Sequence, residues 1–184
     1  ALAITLERAW FFVRLGREGE DLLDGMRAYL GEGRLLEAMQ WVRRFHGPAA
    51  AVLAEGLAAW DRPVEELRER MERVGQEEVA RMEARLAWLD AIVTGAPMLG
   101  LLGTVTGIIR SFRVLSHLQG IDTPSALSAG IAEALITTAA GLVIAIPALF
   151  AYVYFSGLVD RRVATLNRIT SRFVQLAIEL KGRS

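Results

Sequence analysis

A single acidic residue, Glu133, interrupts a long apolar stretch and is the residue best suited to chemistry. It is the only charged residue between Thr123 and Val159. A carboxyl group inside a membrane is costly, so such residues usually face a cavity and mark a path for ions or protons. On an ideal helix Thr137 lies about one turn inward on the same face. We therefore predict a proton relay at Glu133, with an acid at headgroup level as the alternative.

The rest of the composition excludes most catalytic and metal chemistry. The 184 residues include no cysteine and only two histidines, His46 and His117. A disulfide framework, a thiol nucleophile and a multi-histidine metal cluster are therefore excluded. No Walker motif, nucleophile–base pair or paired carboxylate accompanies Glu133, so we predict no enzyme activity and no cofactor other than H⁺ as the coupling ion. A formal net charge of zero gives no electrostatic reason to expect nucleic-acid binding.

Two long uncharged stretches place Glu133 in a predicted membrane span. Residues 91–109 carry no charge over 19 residues, and residues 134–159 carry none over 26. The shorter stretch would be roughly 28 Å long as a helix, close to the ~30 Å hydrocarbon core of a bilayer. Buried helices of soluble proteins rarely carry runs this long. We predict an all-α, polytopic membrane protein with transmembrane helices over 91–112 and 124–158 and a periplasmic link over 113–123.

The zero net charge is the sum of three unlike segments. Residues 7–90 carry 13 basic and 17 acidic side chains, whereas residues 160–184 carry six basic and two acidic ones. The hairpin between them holds only Arg110, Arg113, Asp122 and Glu133. Arginines are thus concentrated at the membrane ends away from the link, and this bias predicts that both long polar segments are cytoplasmic.

The polar segments predict a small helical cytoplasmic region and two helical extensions of the spans. Within 16–90, short helices are expected to break at Gly31–Gly33 and at Gly47–Pro48. From Pro63 the apolar spacing predicts one long amphipathic helix that runs without a breaker into the first span. Residues 159–184 form a predicted cytoplasmic C-terminal helix that continues the second span. These amphipathic stripes could pack within one chain or also between subunits, and the sequence leaves both open.

The N-terminal segment predicts the end of a further span. Its first six residues are apolar, too few to cross a bilayer, and aromatic residues at 10–12 follow between Arg8 and Arg14. Aromatic residues beside arginines are typical of a membrane interface. We interpret residues 1–15 as the cytoplasmic end of a truncated first transmembrane helix, with an interfacial anchor as the alternative.

Small residues follow one face of each predicted span. In the first span they are Gly100, Gly103, Thr104, Gly107 and Ser111; in the second they are Gly130, Ala134, Thr137, Thr138, Gly141, Ala145 and Ala148. Small residues let helix backbones approach closely in lipid. Packing alone does not require threonine, whose hydroxyl could also line a wet path. Pro97 and Pro147 lie inside the spans and are expected to kink them or to free carbonyl groups.

Two segments of these spans resemble the ExbB/TolQ/MotA proton-channel family, and its ExbB branch most. The run from Ala96 to Ile108, APMLGLLGTVTGI, resembles the second span of that family. The run from Gly130 to Leu142, GIAEALITTAAGL, resembles the third span, which Ala145–Ala148 continues. The resemblance is close over about residues 80–180 and looser before them. The flagellar MotA branch has, as a rule, no glutamate at the place of Glu133, which favours ExbB, with TolQ second.

The resemblance implies a three-span protein of the bacterial inner membrane that assembles as a homopentamer around a central pore. Single-span partners of the ExbD/TolR type would occupy that pore, and a TonB-like periplasmic protein would receive the energy. The function it implies is a proton-channel subunit that uses proton-motive force to energise TonB-dependent transport across the outer membrane. The alternatives are a TolQ-like subunit of the Tol-Pal system, which supports envelope integrity and division, a non-conducting scaffold, and a stand-alone channel.

The resemblance also assigns site residues. Glu133 matches the pore glutamate of the family, and Thr104 and Thr138 match its pore threonines. On an ideal helix Thr138 lies about 140° from Glu133, whereas Thr137 is nearly in line with it. In a ring of subunits two faces of each helix can border the pore. Thr138 is therefore a pore candidate, and Thr137 is a lesser one. The expected kink and packing residues are Pro97, Pro147, Gly100, Gly103, Gly107 and Gly141.

Overall fold

The computed structural model describes residues 2–14, 19–117 and 123–182, and all regular structure in these ranges is α-helical. The helices are α1 (Leu2–Arg14), α2 (Gly19–Gly31), α3 (Leu35–Val42), α4 (Pro48–Ala58), α5 (Val64–Glu83), α6 (Leu86–His117) and α7 (Thr123–Lys181). This architecture confirms the predicted all-α class.

Two stretches of helix are long and apolar enough to cross a membrane. They lie within Val64–Arg113 and Ser128–Lys181, where the most apolar windows have mean hydropathies of 1.8 and 2.2. Only 6% and 22% of these windows are buried within the chain, so they are not the core helices of a soluble protein. The prediction of a helical membrane protein is confirmed, whereas the limits of the membrane along these helices stay predictions.

The chain forms two compact units. The first, here called the apolar unit, comprises Ala1–Leu6 and Leu86–Tyr154, and therefore contains α6 and the first half of α7. The second, here called the charged unit, comprises Glu7–Arg85 and Phe155–Ser184. The charged unit holds α2 to α5, most of α1 and the last part of α7.

The core of the charged unit lies between α4, α5 and α7. Met71 of α5 and Phe173 of α7 are fully buried, and both approach Gly56 of α4. A Cβ atom at Gly56 would lie 2.6 Å from the Phe173 ring and 2.8 Å from the Met71 sulfur, so only glycine fits. The amphipathic stripes of α5 and α7 thus pack within one chain at this point.

The short helices end and begin at the glycines where the sequence predicted breaks. α2 ends at Gly31, and α4 begins at Pro48 directly after Gly47. Gly33 and Gly47 have φ angles of +72° and +138°. This region of backbone conformation favours glycine because it has no Cβ atom, which explains the breaks.

The helix predicted to run from Pro63 into the first span is present, but a two-residue turn interrupts it. α5 ends at Glu83, and α6 begins at Leu86 after a turn. Beside this turn the buried Arg8 donates a hydrogen bond from Nη1 to the carbonyl of Met82 at 3.1 Å. A side-chain donor that takes a helix carbonyl interrupts the hydrogen-bond ladder, and we assign the break to it.

The connection between the two long helices is shorter than the predicted link. α6 continues past 112 to His117, and α7 begins at Thr123, with Pro124 in its first turn. The rest of the link, residues 118–122, lies outside the described residues, and so does the predicted helix cap Asp122.

Candidate functional site

The candidate site lies on the paired helices of the apolar unit, which meet through their small residues. Position by position, Gly100 faces Thr138, Gly103 faces Thr137, Gly107 faces Ala134, and Gly141 faces Ala96 and Gly100. A Cβ atom at Gly107 would come within 2.8 Å of the Ala134 Cβ, and one at Gly141 within 2.6 Å of the Ala96 carbonyl oxygen. All four predicted packing glycines therefore lie at close contacts between α6 and α7.

Thr104 and Thr138 form the polar centre of this contact. The Thr104 hydroxyl lies 3.1 Å from the Ala134 carbonyl oxygen across the interface and 3.3 Å from the Gly100 carbonyl oxygen. The Thr138 hydroxyl lies 3.1 Å from the Gly100 carbonyl oxygen on the other helix. The two hydroxyls also contact each other directly. The structure thus brings together the two threonines that the sequence identified.

The proton count of this pair defines what it can do. Each hydroxyl has one proton, so two protons serve two carbonyl acceptors and the contact between the hydroxyls. In one arrangement Thr138 donates to Thr104, which donates to the Ala134 carbonyl. In the other, Thr104 donates to Thr138, which donates to the Gly100 carbonyl. The pair is therefore a short hydrogen-bond chain with two directions, running between the backbones of α6 and α7.

Thr137 also lies at the helix contact, although the ideal helix places it near Glu133. Its hydroxyl donates to the Ala134 carbonyl one turn earlier at 2.7 Å. A Cβ atom at Gly103 would lie 2.5 Å from the Thr137 Oγ1. The Ala134 carbonyl is consequently an acceptor for both Thr104 and Thr137.

Glu133 lies on the surface of the helix pair. Its side chain is exposed, whereas the next residue, Ala134, is 1% exposed against α6. Within the described ranges no hydrogen bond or ion pair involves Glu133, so it does not bond to Thr104, Thr137 or Thr138. Its carboxyl group is thus open to the surroundings of the helix pair.

The two prolines lie inside unbroken helices. Pro97 lies within α6 and Pro147 within α7, and neither ends its helix. Proline has no N–H group, so each one removes the usual partner of the carbonyl four residues before it. Pro97 directly follows Ala96, whose carbonyl oxygen faces Gly141.

Two features of the contact were not among the predicted site residues. Ser111 is 7% exposed and donates to the Gly107 carbonyl at 2.9 Å, and its hydroxyl fills the space beside Gly130. Ser111 lies on the predicted small-residue face, which was the available signal. The carbonyl of Ala134 is an acceptor that no side-chain pattern identifies. In the searched part of the chain no group of three His, Cys, Asp or Glu residues is placed to hold a metal ion.

The amino-acid sequence matches a known protein family over most of its length. The sequence pattern of the MotA/TolQ/ExbB proton channel family matches residues 45–168, which include α4, α5, α6 and the candidate site. A biopolymer transport protein ExbB homolog of Methanothermobacter thermautotrophicus is 32% identical over 167 residues, 90% of this chain and 58% of the relative.

Two further relatives match shorter parts. Biopolymer transport protein exbB1 of Vibrio cholerae is 39% identical over 104 residues, 56% of this chain and 45% of the relative. Tol-Pal system protein TolQ of Pseudomonas aeruginosa is 48% identical over 79 residues, 43% of this chain and 34% of the relative. The chain thus spans about three fifths or less of the length of these relatives. On the match over residues 45–168, it belongs to the MotA/TolQ/ExbB proton channel family.

Proposed function

We propose that this chain is the proton-channel subunit of an inner-membrane complex of the ExbB–ExbD type, which uses proton-motive force to energise TonB-dependent transport across the outer membrane. The observation that carries the proposal is the exposed carboxyl group of Glu133 on a tightly packed, apolar helix pair. A charge in that position is costly in lipid, and membrane proteins keep such residues where they serve an ion or proton path.

The geometry of Glu133 supports a role for other chains in that path. Its carboxyl group is exposed and has no bonded partner among the described residues, which leaves it accessible to a group of another chain. The proposal therefore includes a homopentamer around a central pore, an ExbD/TolR-like single-span protein in that pore, and a TonB-like transducer. Thr104 and Thr138 would hold α6 and α7 in register and form a second proton-exchanging element beside the backbone of Ala134.

The proposed orientation follows from the arginines. Both long polar segments lie in the cytoplasm of a multi-pass inner-membrane protein, and the connection between α6 and α7 lies on the periplasmic side. In this orientation Glu133 lies in the outer half of its span.

A TolQ-like role in the Tol-Pal system is the second candidate. The relative from Pseudomonas aeruginosa is named a Tol-Pal system protein and has the higher local identity, 48% over 79 residues. Expression in strains that lack either ExbB or TolQ distinguishes the two roles. Restored siderophore uptake supports the first role, and restored resistance to detergents supports the second.

Substitution of Glu133 tests the proton relay against a non-conducting scaffold. In the variant Glu133→Gln we expect the complex with its single-span partner to assemble while energised uptake is lost, because an amide cannot carry the proton. Glu179→Gln, which changes an exposed acid of the charged unit, is the matched control and should retain uptake. Uptake that survives in Glu133→Gln would contradict the proton relay.

Reconstitution tests the possibility of a stand-alone channel. The chain alone in liposomes with an imposed pH gradient should show no proton leak, and co-reconstitution with the single-span partner should be needed for conduction. A leak from the chain alone would contradict the proposed dependence on a partner.

A further inference from the structure

The charged unit contains an open groove between α5 and α7. It has a volume of about 400 Å³ and is lined by the half-buried side chains of Val79 and Val163, while Met71 and Leu166 lie buried beneath its surface. Glu72 and Glu83 line its α5 side and are exposed. Among the described residues neither carboxylate takes part in an ion pair. The groove thus combines a small apolar surface with two carboxylates that form no ion pair with a described residue.

A row of arginines follows the opposite face of α7. Arg161, Arg168 and Arg172 are exposed and lie seven and four residues apart, which places them on one face. They are about 200° to 240° around the helix from Leu166, which lines the groove. We call these three residues the basic ridge. The groove and the basic ridge consequently lie on two different sides of the same chain.

The two surfaces match in height along the helices. Met71 and Phe173 both approach Gly56, so these two positions lie at the same level of α5 and α7. Their chain neighbours Glu72 and Arg172 therefore share a level as well. At the other end of the charged unit, Arg8 of α1 bonds to Met82 of α5, and Phe12, one turn further along α1, stacks on Phe155 of α7. Met82 follows Met71 in the chain, whereas Phe155 precedes Phe173. The helices α5 and α7 therefore run in opposite directions.

The same spacing separates the second pair of charges. Glu83 follows Glu72 by 11 residues, and Arg161 precedes Arg172 by 11 residues on the antiparallel helix. At 1.5 Å per residue both intervals are about 16 Å. Glu83 and Arg161 therefore share a level too. In a ring whose axis runs along α5 and α7, rotation from one copy to the next preserves the level of each residue along these helices.

We propose that the groove of one copy receives the basic ridge of the next copy, with Arg161 opposite Glu83 and Arg172 opposite Glu72. Two different surfaces that meet in this way make a heterologous contact, which closes into a ring when the rotation allows it. The aliphatic stems of the arginines, with Ala164 between them, would cover the apolar walls, while their guanidinium groups reach the carboxylates. This inference rests on the homo-oligomer of the proposed function and assigns its contact in the charged unit.

Cross-linking between single cysteines tests the contact, because the natural chain has no cysteine. Two differently tagged chains, each with one cysteine, are co-expressed and treated with a short bifunctional thiol reagent. The matched pairs Glu83→Cys with Arg161→Cys and Glu72→Cys with Arg172→Cys should give heterodimers. The crossed pair Glu72→Cys with Arg161→Cys is the control and should not react, because its members differ in height by about 16 Å.

The possible outcomes distinguish a failure of the proposed contact from a failure of the homo-oligomer. Native mass spectrometry of the same samples measures how many copies associate. Several copies with no matched cross-link, or with equal reaction of the crossed pair, overturn the proposed contact and leave the homo-oligomer intact. Detection of only one copy per complex overturns both the proposed contact and the homo-oligomer. A groove cysteine that reacts with a single cysteine introduced into the single-span partner, in place of the ridge cysteine, also overturns the contact.

Charge reversal provides a second measurement. Arg161→Glu places two acids opposite each other and should lower the yield of the Glu72→Cys with Arg172→Cys cross-link. Adding Glu83→Arg to the same chain restores opposite charges and should restore the yield. Arg44→Glu, an exposed reversal on the loop between α3 and α4, should leave the yield unchanged. Failure of the double reversal to restore the yield contradicts the pairing of Arg161 with Glu83.

Discussion

The Thr104–Thr138 pair shows why threonine rather than a smaller residue occupies the centre of the α6–α7 contact. Alanine at either position would keep the helices close, but it would remove the hydrogen bond that the threonine makes to the backbone of the other helix. In lipid no water replaces that donor, and cross-helix hydrogen bonds of this kind contribute roughly 0.6 kcal/mol on average and at most about 1.7 kcal/mol. The pair therefore adds a modest, directional term to packing that the glycines make possible.

Removal of the two hydroxyls should destabilise the chain less than additively. Valine is close to threonine in volume, so Thr104→Val and Thr138→Val each remove hydrogen bonds and keep the packing. We expect each to lower the free energy of unfolding by about 1 kcal/mol. Because both hydroxyls serve one network, the double variant should lose less than the sum of the single losses. SDS titration in mixed micelles measures these free energies.

Thr106→Val is the control for that series. The Thr106 hydroxyl is exposed and donates only within its own helix, to the carbonyls of Leu102 and Gly103. Its replacement should change the free energy of unfolding by less than either interfacial variant. An effect of Thr106→Val as large as that of Thr104→Val would show that the cross-helix bonds contribute nothing specific.

At the scale of the helices, the glycines of the apolar unit differ sharply in what surrounds them. Gly141 faces the Ala96 carbonyl oxygen and the Gly100 Cα, and an added Cβ atom would approach them to 2.6 Å and 3.2 Å. Gly95, on α6, has no atom within 4 Å of that position. Substitution of Gly141 therefore tests the need for close packing, whereas substitution of Gly95 tests only the low helix propensity of glycine.

The substitutions Gly141→Ala and Gly95→Ala should have opposite signs. Alanine at Gly141 collides with backbone and must push α6 and α7 apart, so we expect a loss of about 1 to 3 kcal/mol in the free energy of unfolding. Alanine at Gly95 meets open space and gains helix propensity, so we expect a gain of up to about 1 kcal/mol. Thermal unfolding in detergent shows the order, and a Gly141→Ala protein as stable as the natural chain contradicts the contact.

The sequence predicted the helices and the faces by which α6 and α7 meet, because small residues recur there at helical spacing. It did not predict the break between α5 and α6, since Ala84 and Arg85 are both good helix formers. We assign the break to the hydrogen bond between Arg8 and Met82, 74 positions apart, which no local pattern reveals. A helical wheel likewise orients Thr137 relative to Glu133 but does not identify Gly103 as its neighbour.

Arg8 should therefore stabilise the end of α5. It is 3% exposed, it bonds to the Met82 carbonyl, and its charge is paired with Glu7 at 3.0 Å. Arg8→Met keeps an aliphatic side chain and removes the donor, so we expect a loss of about 1 to 3 kcal/mol. Hydrogen exchange of the amides at 80–86 should become faster in this variant.

Arg85→Gln is the comparison for Arg8→Met. Arg85 also pairs with Glu7, but its side chain is 57% exposed. An exposed ion pair contributes roughly 1 kcal/mol or less, so the loss should be smaller and exchange at 80–86 should change little. Equal effects of the two variants would mean that the Glu7 ion pairs, rather than the bond to Met82, hold this end of α5.

For the whole molecule, the distribution of charge along the chain carries more information than its sum. The net charge of zero arises from a segment of −4 over residues 7–90, a nearly uncharged hairpin and a segment of +4 over residues 160–184. The charged unit gathers the first and last of these segments, and the apolar unit holds the hairpin. The fold thus separates the chain into a part suited to water and a part suited to lipid.

This separation predicts which ends of the long helices face the cytoplasm. A cysteine at Gly120, in the predicted link, should react with a membrane-impermeant maleimide added to intact spheroplasts. A cysteine at Ser171, an exposed position of α7 in the charged unit, should react only after the membrane is permeabilised. The reason is the excess of arginine beside the charged unit, since positively charged segments stay on the cytoplasmic side. Because the natural chain has no cysteine, each signal comes from one position, and labelling of Ser171→Cys before permeabilisation would reverse the proposed orientation.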